Sequence, residues 1–166
     1  RVAKGMAMPK PAGEELGRER ETIDAIVTRD RTGRRVSEIK AEMGAVMDKH
    51  CAVFRDEQGL EVALEAIKRL REEAKTVSVD DKGSVFNQDV LGALELQFML
   101  DNAECIVTGA IERKESRGAQ FRTDFPERND DEWIKHINLT AGPDGAPEVS
   151  YSEVTMTQWE PQERKY

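Results

Sequence analysis

Four basic side chains stand close together in the segment IERKESRGAQFRT, residues 111–123, where the neighbouring sequence is acidic. They are Arg113, Lys114, Arg117 and Arg122. One interpretation is that these cations lie at the end of a helix and complement its dipole, with Gly118 as the left-handed stop. The other is that Arg117, held at the helix end, reaches a partner surface and binds a carboxylate or backbone carbonyls through two nitrogens. Local physics leaves both interpretations open.

A metal site is the other chemistry that the side chains suggest. His50 precedes Cys51, and three acidic residues run through 130–132, but the only further histidine and cysteine are His136 and Cys105. The paired ligand spacing of zinc sites is missing, and so is the alternating ligand pattern of a calcium loop. We therefore predict no metal site, a solvated acidic loop and two free thiols, as in a reducing compartment.

Three phosphate or nucleophile motifs are absent from the sequence. No GxGxxG segment could hold a dinucleotide, no GxxxxGK[ST] segment a triphosphate, and no GxSxG segment presents a serine nucleophile. Most Asp and Glu residues occupy the polar faces of predicted helices. We therefore predict no catalytic residue and no cofactor-binding residue in this chain.

Long helices must position the basic segment, because apolar residues recur with helical spacing over most of the chain. The predicted helices run from Glu14 to about Asp30, across the stripe Val36–Met47, from the N-cap Asp56 to about Ala74, and from the N-cap Asn87 to about Lys114. Residues 75–86 break the period and are predicted to form a loop.

The fourth predicted helix is apolar on two sides. One stripe consists of Leu91, Leu94, Phe98 and Cys105, and the other of Leu96, Met99, Ala103, Ile106, Ala110 and Ile111. A helix with two apolar sides packs on two sides. We expect it to lie between the other helices, or between them and another domain, with Leu94 and Phe98 in the core.

Alternating apolar residues after the basic segment predict an antiparallel hairpin. Trp133, Ile137 and Leu139 fall on alternate positions, and a Gly- and Pro-rich turn leads to a second strand with a bulge between Tyr151 and Val154. The predicted fold is mainly α: a three- to four-helix bundle, spectrin-repeat-like and up-down, with an appended C-terminal β-hairpin. Residues 1–12 form a flexible lead, 13–118 the bundle, and 119–166 a loop, hairpin and tail packed on it.

Composition excludes several classes of protein. The 166 residues carry 25 Lys and Arg against 33 Asp and Glu, a net charge of −8, with 5% aromatic residues. An acidic chain without a basic surface is not expected to bind nucleic acid. No uncharged apolar run approaches the roughly 20 residues that span a bilayer, so no direct membrane insertion is expected.

The sequence from 86 to 136 resembles a known family. FNQDVLGALELQFMLDNAECIVTGAIE followed by RKESRGAQFRTDFPERNDDEWIKH is similar to the C-terminal helical domain of succinate dehydrogenase flavoprotein subunits. The similarity extends over about 34–166, through AEMGAVMDKHCAVFRDEQGLEVALEAIKRLRE and the ending EPQERKY. Fumarate reductase flavoproteins and L-aspartate oxidase share the ESRG element, whereas the long helix and the ending look more like succinate dehydrogenase.

The resemblance implies a subunit that, when intact, oxidises succinate to fumarate through covalently held FAD. Electrons then pass to an iron–sulfur subunit and quinone. In the family the flavin and substrate sites lie in two other domains, so the resemblance implies neither FAD nor a catalytic residue in this chain. The implied partners are the FAD-binding domain of the same subunit and the iron–sulfur subunit, in a complex peripheral to the cytoplasmic face of the bacterial inner membrane.

The family's ESRG element matches Glu115, Ser116, Arg117 and Gly118, at the end of the long helix that faces the flavin domain. Gln120 stands where the family commonly has histidine, and it can keep a hydrogen bond but not the titration. These five residues are the predicted docking site. We expect Arg117 to be exposed or paired only with Glu115 or a nearby Asp, so that its loss costs within about 0.5 kcal/mol.

Two other functions remain open from the residues. A free-standing helical adaptor is disfavoured by the specificity of the KESRG stretch. A winged-helix-like regulator is disfavoured by the net charge of −8 and by the lack of a basic recognition helix. A fragment of a fumarate reductase or of L-aspartate oxidase is a closer alternative.

Overall fold

The computed structural model describes residues 13–30, 33–159 and 161–162. The predicted flexible lead, 1–12, lies outside these residues. The helices are α1 (Gly13–Thr28), α2 (Val36–His50), α3 (Glu57–Ala74), α4 (Gln88–Glu112) and α5 (Asp130–Trp133). The strands are β1 (Phe54–Arg55), β2 (Phe121–Arg122), β3 (Lys135–Ala141) and β4 (Pro147–Glu153). The mainly helical fold with an appended hairpin is confirmed.

Side-chain caps fix the starts of the two central helices. The Asp56 carboxylate accepts a hydrogen bond from the Gly59 N–H at 2.7 Å and caps α3. The Asn87 side chain accepts from the Val90 N–H at 2.9 Å and caps α4. Both caps stand where the sequence predicts them, because a short polar acceptor there satisfies N–H groups that the helix leaves unpaired.

The core lies between α2, α3 and α4, and only the end of α1 reaches it. The largest buried cluster shares apolar side chains from these helices and from the α3–α4 loop: Ile26, Ile39, Met43, Ile67, Leu70, Ala74, Val77, Val79, Ala93, Leu96, Leu100 and Ala103. A second cluster lies near the other end of α4 and comprises Cys51, Leu60, Ala63, Val107 and Ala110. Among the described residues of α1, Ile26 is the buried one.

α4 does not bury both of the predicted core residues Leu94 and Phe98, and its packing between the other helices and another domain stays a prediction. Its buried side carries Leu96 and Leu100, whereas Phe98 is 65% exposed and Leu94 only half-buried. Residues four apart share a face, so Leu96 and Leu100 exclude Phe98 from the same contact. One of the two stripes therefore faces away from the bundle.

A short parallel ladder ties two distant loops together. Phe54 pairs with Phe121 and Arg55 with Arg122. The Phe121 N–H donates to the Val53 carbonyl at 2.9 Å. The sequence does not predict this ladder, because the residues after α2 show only a short apolar segment. This ladder holds the segment after α4 against the turn between α2 and α3.

The hairpin is more regular than predicted and begins later. β3 and β4 pair antiparallel without interruption from Lys135 opposite Glu153 to Ala141 opposite Pro147, so the predicted bulge is absent. Trp133, predicted on the first strand, instead ends the one-turn helix α5, where it is buried. The acidic run at 130–132 starts that turn rather than a solvated loop, because the Asn129 side chain caps it.

No helix in the described ranges is long and apolar enough to cross a lipid bilayer.

Truncating the buried side of α4 should be far more costly than truncating its outer side. Leu96→Ala removes a side chain with no exposed surface and should lower the free energy of unfolding by about 2–5 kcal/mol. Phe98→Ala, on the same helix, should change it by no more than about 0.5 kcal/mol. Urea unfolding followed by circular dichroism measures both. Equal losses would show that the outer stripe is also packed in the isolated chain.

Candidate interdomain site

The ESRG element forms a tight turn just after α4. The Arg117 N–H donates to the Gln120 carbonyl at 2.9 Å, and the Gln120 N–H donates back to the Arg117 carbonyl at 3.1 Å. Gly118, at the tip, has a φ of +62°, a conformation that only glycine adopts without strain. A side chain at Gly118 would meet nothing within 4 Å. The tip is therefore an open, rigid surface loop.

Glu115 is the buried centre of this loop. Its carboxylate accepts from Arg113 Nη1 at 2.6 Å, from Arg117 Nε at 2.7 Å and from the Asn129 N–H at 2.9 Å. Burial alone would raise the pKa of Glu115, but the hydrogen bonds from Arg117, Asn129 and Arg113 outweigh it and hold the pKa below its ordinary value. A carboxylate with no exposed surface stays charged because three donors replace water.

A second carboxylate continues the network on the outside. Asp130 accepts from Arg117 Nη2 at 2.6 Å and from Arg128 at 2.7 and 2.5 Å. Arg128 first, and Arg117 second, lower the pKa of Asp130 to about 2. Arg117 thus bridges a buried and a half-exposed carboxylate.

Ser116 and Gln120 bind backbone groups of the same domain. Ser116 Oγ donates to the Phe125 carbonyl at 2.8 Å and accepts from the Arg122 N–H at 2.9 Å. Gln120 Nε2 donates to the Arg113 carbonyl at 3.1 Å. This amide satisfies a carbonyl just beyond the end of α4, a role that needs a donor and no titration.

Arg122 is completely buried and terminates α4. Its Nη1 donates to the Ala110 carbonyl at 2.9 Å and to the Ile111 carbonyl at 3.1 Å, and its Nε and Nη2 bind both oxygens of Asp124. Asp124 also accepts from the Glu57 N–H at 3.0 Å, at the start of α3. One ion pair therefore joins the negative end of α4 to the positive end of α3.

The structure meets the two interpretations of the basic segment only in part: α4 ends at Glu112, so Gly118 is not its left-handed stop, and a contact of Arg117 with a partner surface stays a prediction. Arg122 complements the helix end, and Arg117 binds carboxylates through two nitrogens, although those carboxylates belong to its own domain. Asp124 is a partner that the sequence reasoning missed, and Asp130 is the nearby aspartate that was predicted for Arg117 without being named. The Arg-x-Asp spacing at 122–124 and at 128–130 was an available signal for both pairs.

The geometry around Arg117 favours a larger cost of losing this side chain than the sequence predicts. Arg117 pairs with Glu115 and a nearby aspartate, as predicted, but its side chain is mostly buried. Removing it would take away two of the hydrogen bonds of a buried carboxylate. Leaving such a group under-satisfied costs about 1–3 kcal/mol, more than an ordinary surface site.

Aromatic rings hold the hairpin against the same end of α4. The Arg113 guanidinium lies 5.3 Å from the Trp133 ring centre and donates to the Lys135 carbonyl at 2.8 Å. The Lys135 ammonium lies between the rings of Trp133 and Tyr151, at 4.4 and 4.3 Å. Arg113 thereby links the ESRG loop to β3.

Both cysteines are free thiols. Cys51 is buried, and burial raises the pKa of its thiol. His50 packs beside Gly59. Across the described ranges, no three His, Cys, Asp or Glu side chains come together in a way that could hold a metal ion.

Residues 40–166 match the family model described as the fumarate reductase flavoprotein C-terminus. The chain belongs to this family. The flavoprotein C-terminal domain is 45% identical over 130 residues to the fumarate reductase flavoprotein subunit of Haemophilus influenzae, covering 78% of this chain and 22% of that protein. It is 34% identical over 160 residues to the succinate dehydrogenase flavoprotein subunit of Rickettsia conorii, covering 93% of this chain and 27% of that protein.

A solved structure agrees with the sequence matches. The flavoprotein C-terminal domain superposes on the FrdA chain of E. coli quinol fumarate reductase with a TM-score of 0.86 and 31% identity, covering 97% of this chain and 28% of that chain. The chain therefore spans about a quarter of the length of the relatives it matches. It corresponds to the C-terminal part of these flavoprotein subunits.

Loss of Arg122 should destabilise the domain strongly. Arg122→Ala leaves Asp124 and the carbonyls at the end of α4 without their buried partner, so the free energy of unfolding should fall by about 3–5 kcal/mol. Arg122→Lys should recover little, because an ammonium cannot bind a carboxylate and two carbonyls in one plane. Lys68→Ala, at an exposed position of α3, is the control and should shift it by about 0.5 kcal/mol at most. If denaturant unfolding shows that Arg122→Ala lowers the free energy of unfolding no more than Lys68→Ala does, the stabilising role of Arg122 at the end of α4 is contradicted.

Low pH should remove the contribution of Asp124 to the stability of the fold. The Arg122 guanidinium, helped by the Glu57 N–H and opposed by burial, lowers the pKa of Asp124 from 3.8 to about 2. Because the pKa of Asp124 is lower in the folded than in the unfolded state, the ionised carboxylate stabilises the fold at pH values above the unfolded pKa, and this stabilisation is lost as the pH falls towards 2. Asp124→Asn should therefore lower the free energy of unfolding by about 2 kcal/mol at pH 7 and by almost nothing at pH 2.

The measurement is unfolding free energy across that pH range for the native chain, for Asp124→Asn and for Asp48→Asn, an exposed position on α2. A difference between the native chain and Asp124→Asn that does not change with pH would show that the carboxylate acts by shape rather than by charge.

Proposed function

We propose that this chain is the structural and docking domain of a flavoprotein subunit that, when intact, oxidises succinate to fumarate. Covalent FAD in the upstream part of the subunit accepts the electrons, which then pass to an iron–sulfur subunit and quinone. The domain itself supplies neither a flavin ligand nor a catalytic residue. This proposal extends the family membership to the activity of the whole subunit.

One observation carries the structural role: the polar side chains of the ESRG element are bonded inside their own domain. Glu115 and Arg117 pair with each other, Ser116 holds the Phe125 carbonyl, and Gln120 holds the Arg113 carbonyl. Side chains engaged in this way are not aimed at a substrate. They give a fixed shape to a loop whose tip, Gly118, is open.

A rigid open loop is suited to contact with a neighbouring domain. Its shape is set before contact, so little conformational entropy is lost on docking. We assign the contact to Gly118, to the exposed edge of Arg117 and to the main chain beside them, with Glu115, Ser116 and Gln120 as the residues that hold the loop in place. The facing surface is the FAD-binding part of the same subunit.

The relatives support the wider assembly. They are flavoprotein subunits, and the superposed E. coli chain comes from a quinol fumarate reductase. We extend this to an iron–sulfur partner and to a complex peripheral to the cytoplasmic face of the inner membrane. Reduction of fumarate is the second candidate, favoured by 45% identity to the Haemophilus fumarate reductase subunit against 34% to the Rickettsia succinate dehydrogenase subunit.

Blocking the tip of the loop should impair the intact subunit without unfolding the domain. Ala119→Trp adds bulk at an exposed position, so the isolated chain should unfold within about 0.5 kcal/mol of the native value. In the intact subunit, flavin content and succinate oxidation should both fall. Val62→Trp, on the outer side of α3, should change neither.

The isolated chain should also purify without the yellow absorbance of flavin, because it lacks a phosphate cradle at a strand–helix turn. Stoichiometric flavin in the isolated chain would overturn the structural role. Full activity of an intact Ala119→Trp subunit would remove the loop from the interface.

A further inference from the structure

A cavity of about 330 Å³ lies where the first turns of α2 and α4 meet the loop between α3 and α4. Its wall includes Arg35, Ser37 and Lys40 from the start of α2, Ser78 from the loop, and Asp89 from α4. This volume is at the small end of the range found for ligand pockets, so a ligand held there would be small. The space is called the α2–α4 cavity below.

Ser78 brings a hydroxyl without a protein partner to this cavity. The residue is only 8% exposed and lines the cavity, and its Oγ makes no hydrogen bond within the part of the chain that the structure describes. Val77 and Val79 on either side are buried in the core, and the Arg29 guanidinium donates to the Val77 carbonyl at 2.7 Å. The loop is therefore fixed, and the hydroxyl can bond only to a group inside the cavity.

The start of α2 offers further donors to the cavity. The first N–H groups of a helix have no partner within it, and a side-chain acceptor at the N-cap usually satisfies one of them. The N-cap of α2 is Arg35, whose side chain makes no capping hydrogen bond, because a guanidinium has donors but no acceptor. Val36 and Ser37, the first residues of α2, line the cavity, so the positive end of the helix faces it. Such a helix start favours an anion.

Two carboxylates also line the cavity, but each of them is already engaged. Asp80 Oδ2 pairs with Arg35 Nη2 at 3.1 Å, and Asp89 Oδ2 accepts a hydrogen bond from the Asp81 N–H at 3.0 Å. Lys40 lines the same cavity, and none of the described residues forms an ion pair with it. The ammonium of Lys40 is thus the charged group that remains for a ligand, and it attracts an anion.

We propose that the α2–α4 cavity binds the phosphate group of a small phosphate ester. The donors around it are the ammonium of Lys40, the hydroxyls of Ser37 and Ser78, and the first N–H groups of α2. A phosphate group has three terminal oxygens that accept hydrogen bonds, whereas a carboxylate has two and would leave more of these donors without an acceptor. The cavity is larger than a phosphate group, so the space beside Val36 and Gly92 takes the organic part of the ester. This site is independent of the ESRG loop and of the activity proposed above.

Titration of the ¹⁵N-labelled chain with inorganic phosphate, glycerol 3-phosphate or succinate at constant ionic strength tests the site by two-dimensional NMR. We expect saturable shifts of the Ser37 and Ser78 amide signals with both phosphates, and tighter binding of glycerol 3-phosphate than of inorganic phosphate. Ser78→Ala and Lys40→Gln each remove a hydrogen bond to a charged group and should weaken phosphate binding about tenfold. The matched controls are Ser150→Ala on β4 and Lys49→Gln at the other end of α2, both at exposed positions, and they should leave the affinity unchanged.

Three results would overturn this assignment. If the shifts do not saturate, or if Ser78→Ala and Lys40→Gln bind phosphate like their controls, phosphate only screens surface charge and the cavity is not its site. If succinate binds as tightly as glycerol 3-phosphate, the cavity takes carboxylates rather than phosphates. If inorganic phosphate binds more tightly than glycerol 3-phosphate, the ligand is the free ion and not an ester. Because Lys40 is exposed, Lys40→Gln keeps the test decisive even where Ser78→Ala disturbs the fold.

Discussion

The ion pair of Arg122 and Asp124 is the contact on which the rest of the domain depends. It lies between the C-terminus of α4 and the N-terminus of α3, so each charge faces the helix end of opposite sign. The chain after α4 would otherwise leave helix carbonyls unpaired next to the second core cluster. With the pair in place, this segment can turn back, pair with β1 and carry the ESRG loop.

The buried charge of this loop is held by hydrogen bonds from within the domain. Glu115 resembles a catalytic carboxylate in its burial, but its lowered pKa keeps it an acceptor for three fixed donors. A carboxylate held in this way neither binds nor releases a proton near neutral pH. The network accordingly fixes the positions of Arg113 and Arg117, just after α4, and of Asn129, just before α5, and connects the bundle to the hairpin.

The sequence predicts the helices of the bundle, but it does not predict which side of α4 is buried or which side chains join the segments after α4. Caps at Asp56 and Asn87, and the regular stripe of α3, are local features and are found where predicted. The side on which α4 packs was not predictable, because Leu96 and Phe98 are equally apolar and only their neighbours decide which is buried. The partner of Arg122 was likewise hidden: a charge pattern shows that cations are clustered, not that Asp124 folds back onto this one.

The parallel pairing of Phe54 with Phe121 has a consequence for the order of folding. It closes a loop that contains both α3 and α4, so its entropic cost is recovered only after those helices have packed. The ESRG loop follows α4 directly and is anchored by that ladder, so it takes shape last. An incompletely packed bundle would thus lack the ladder that anchors the ESRG loop, and with it the fixed shape of that loop.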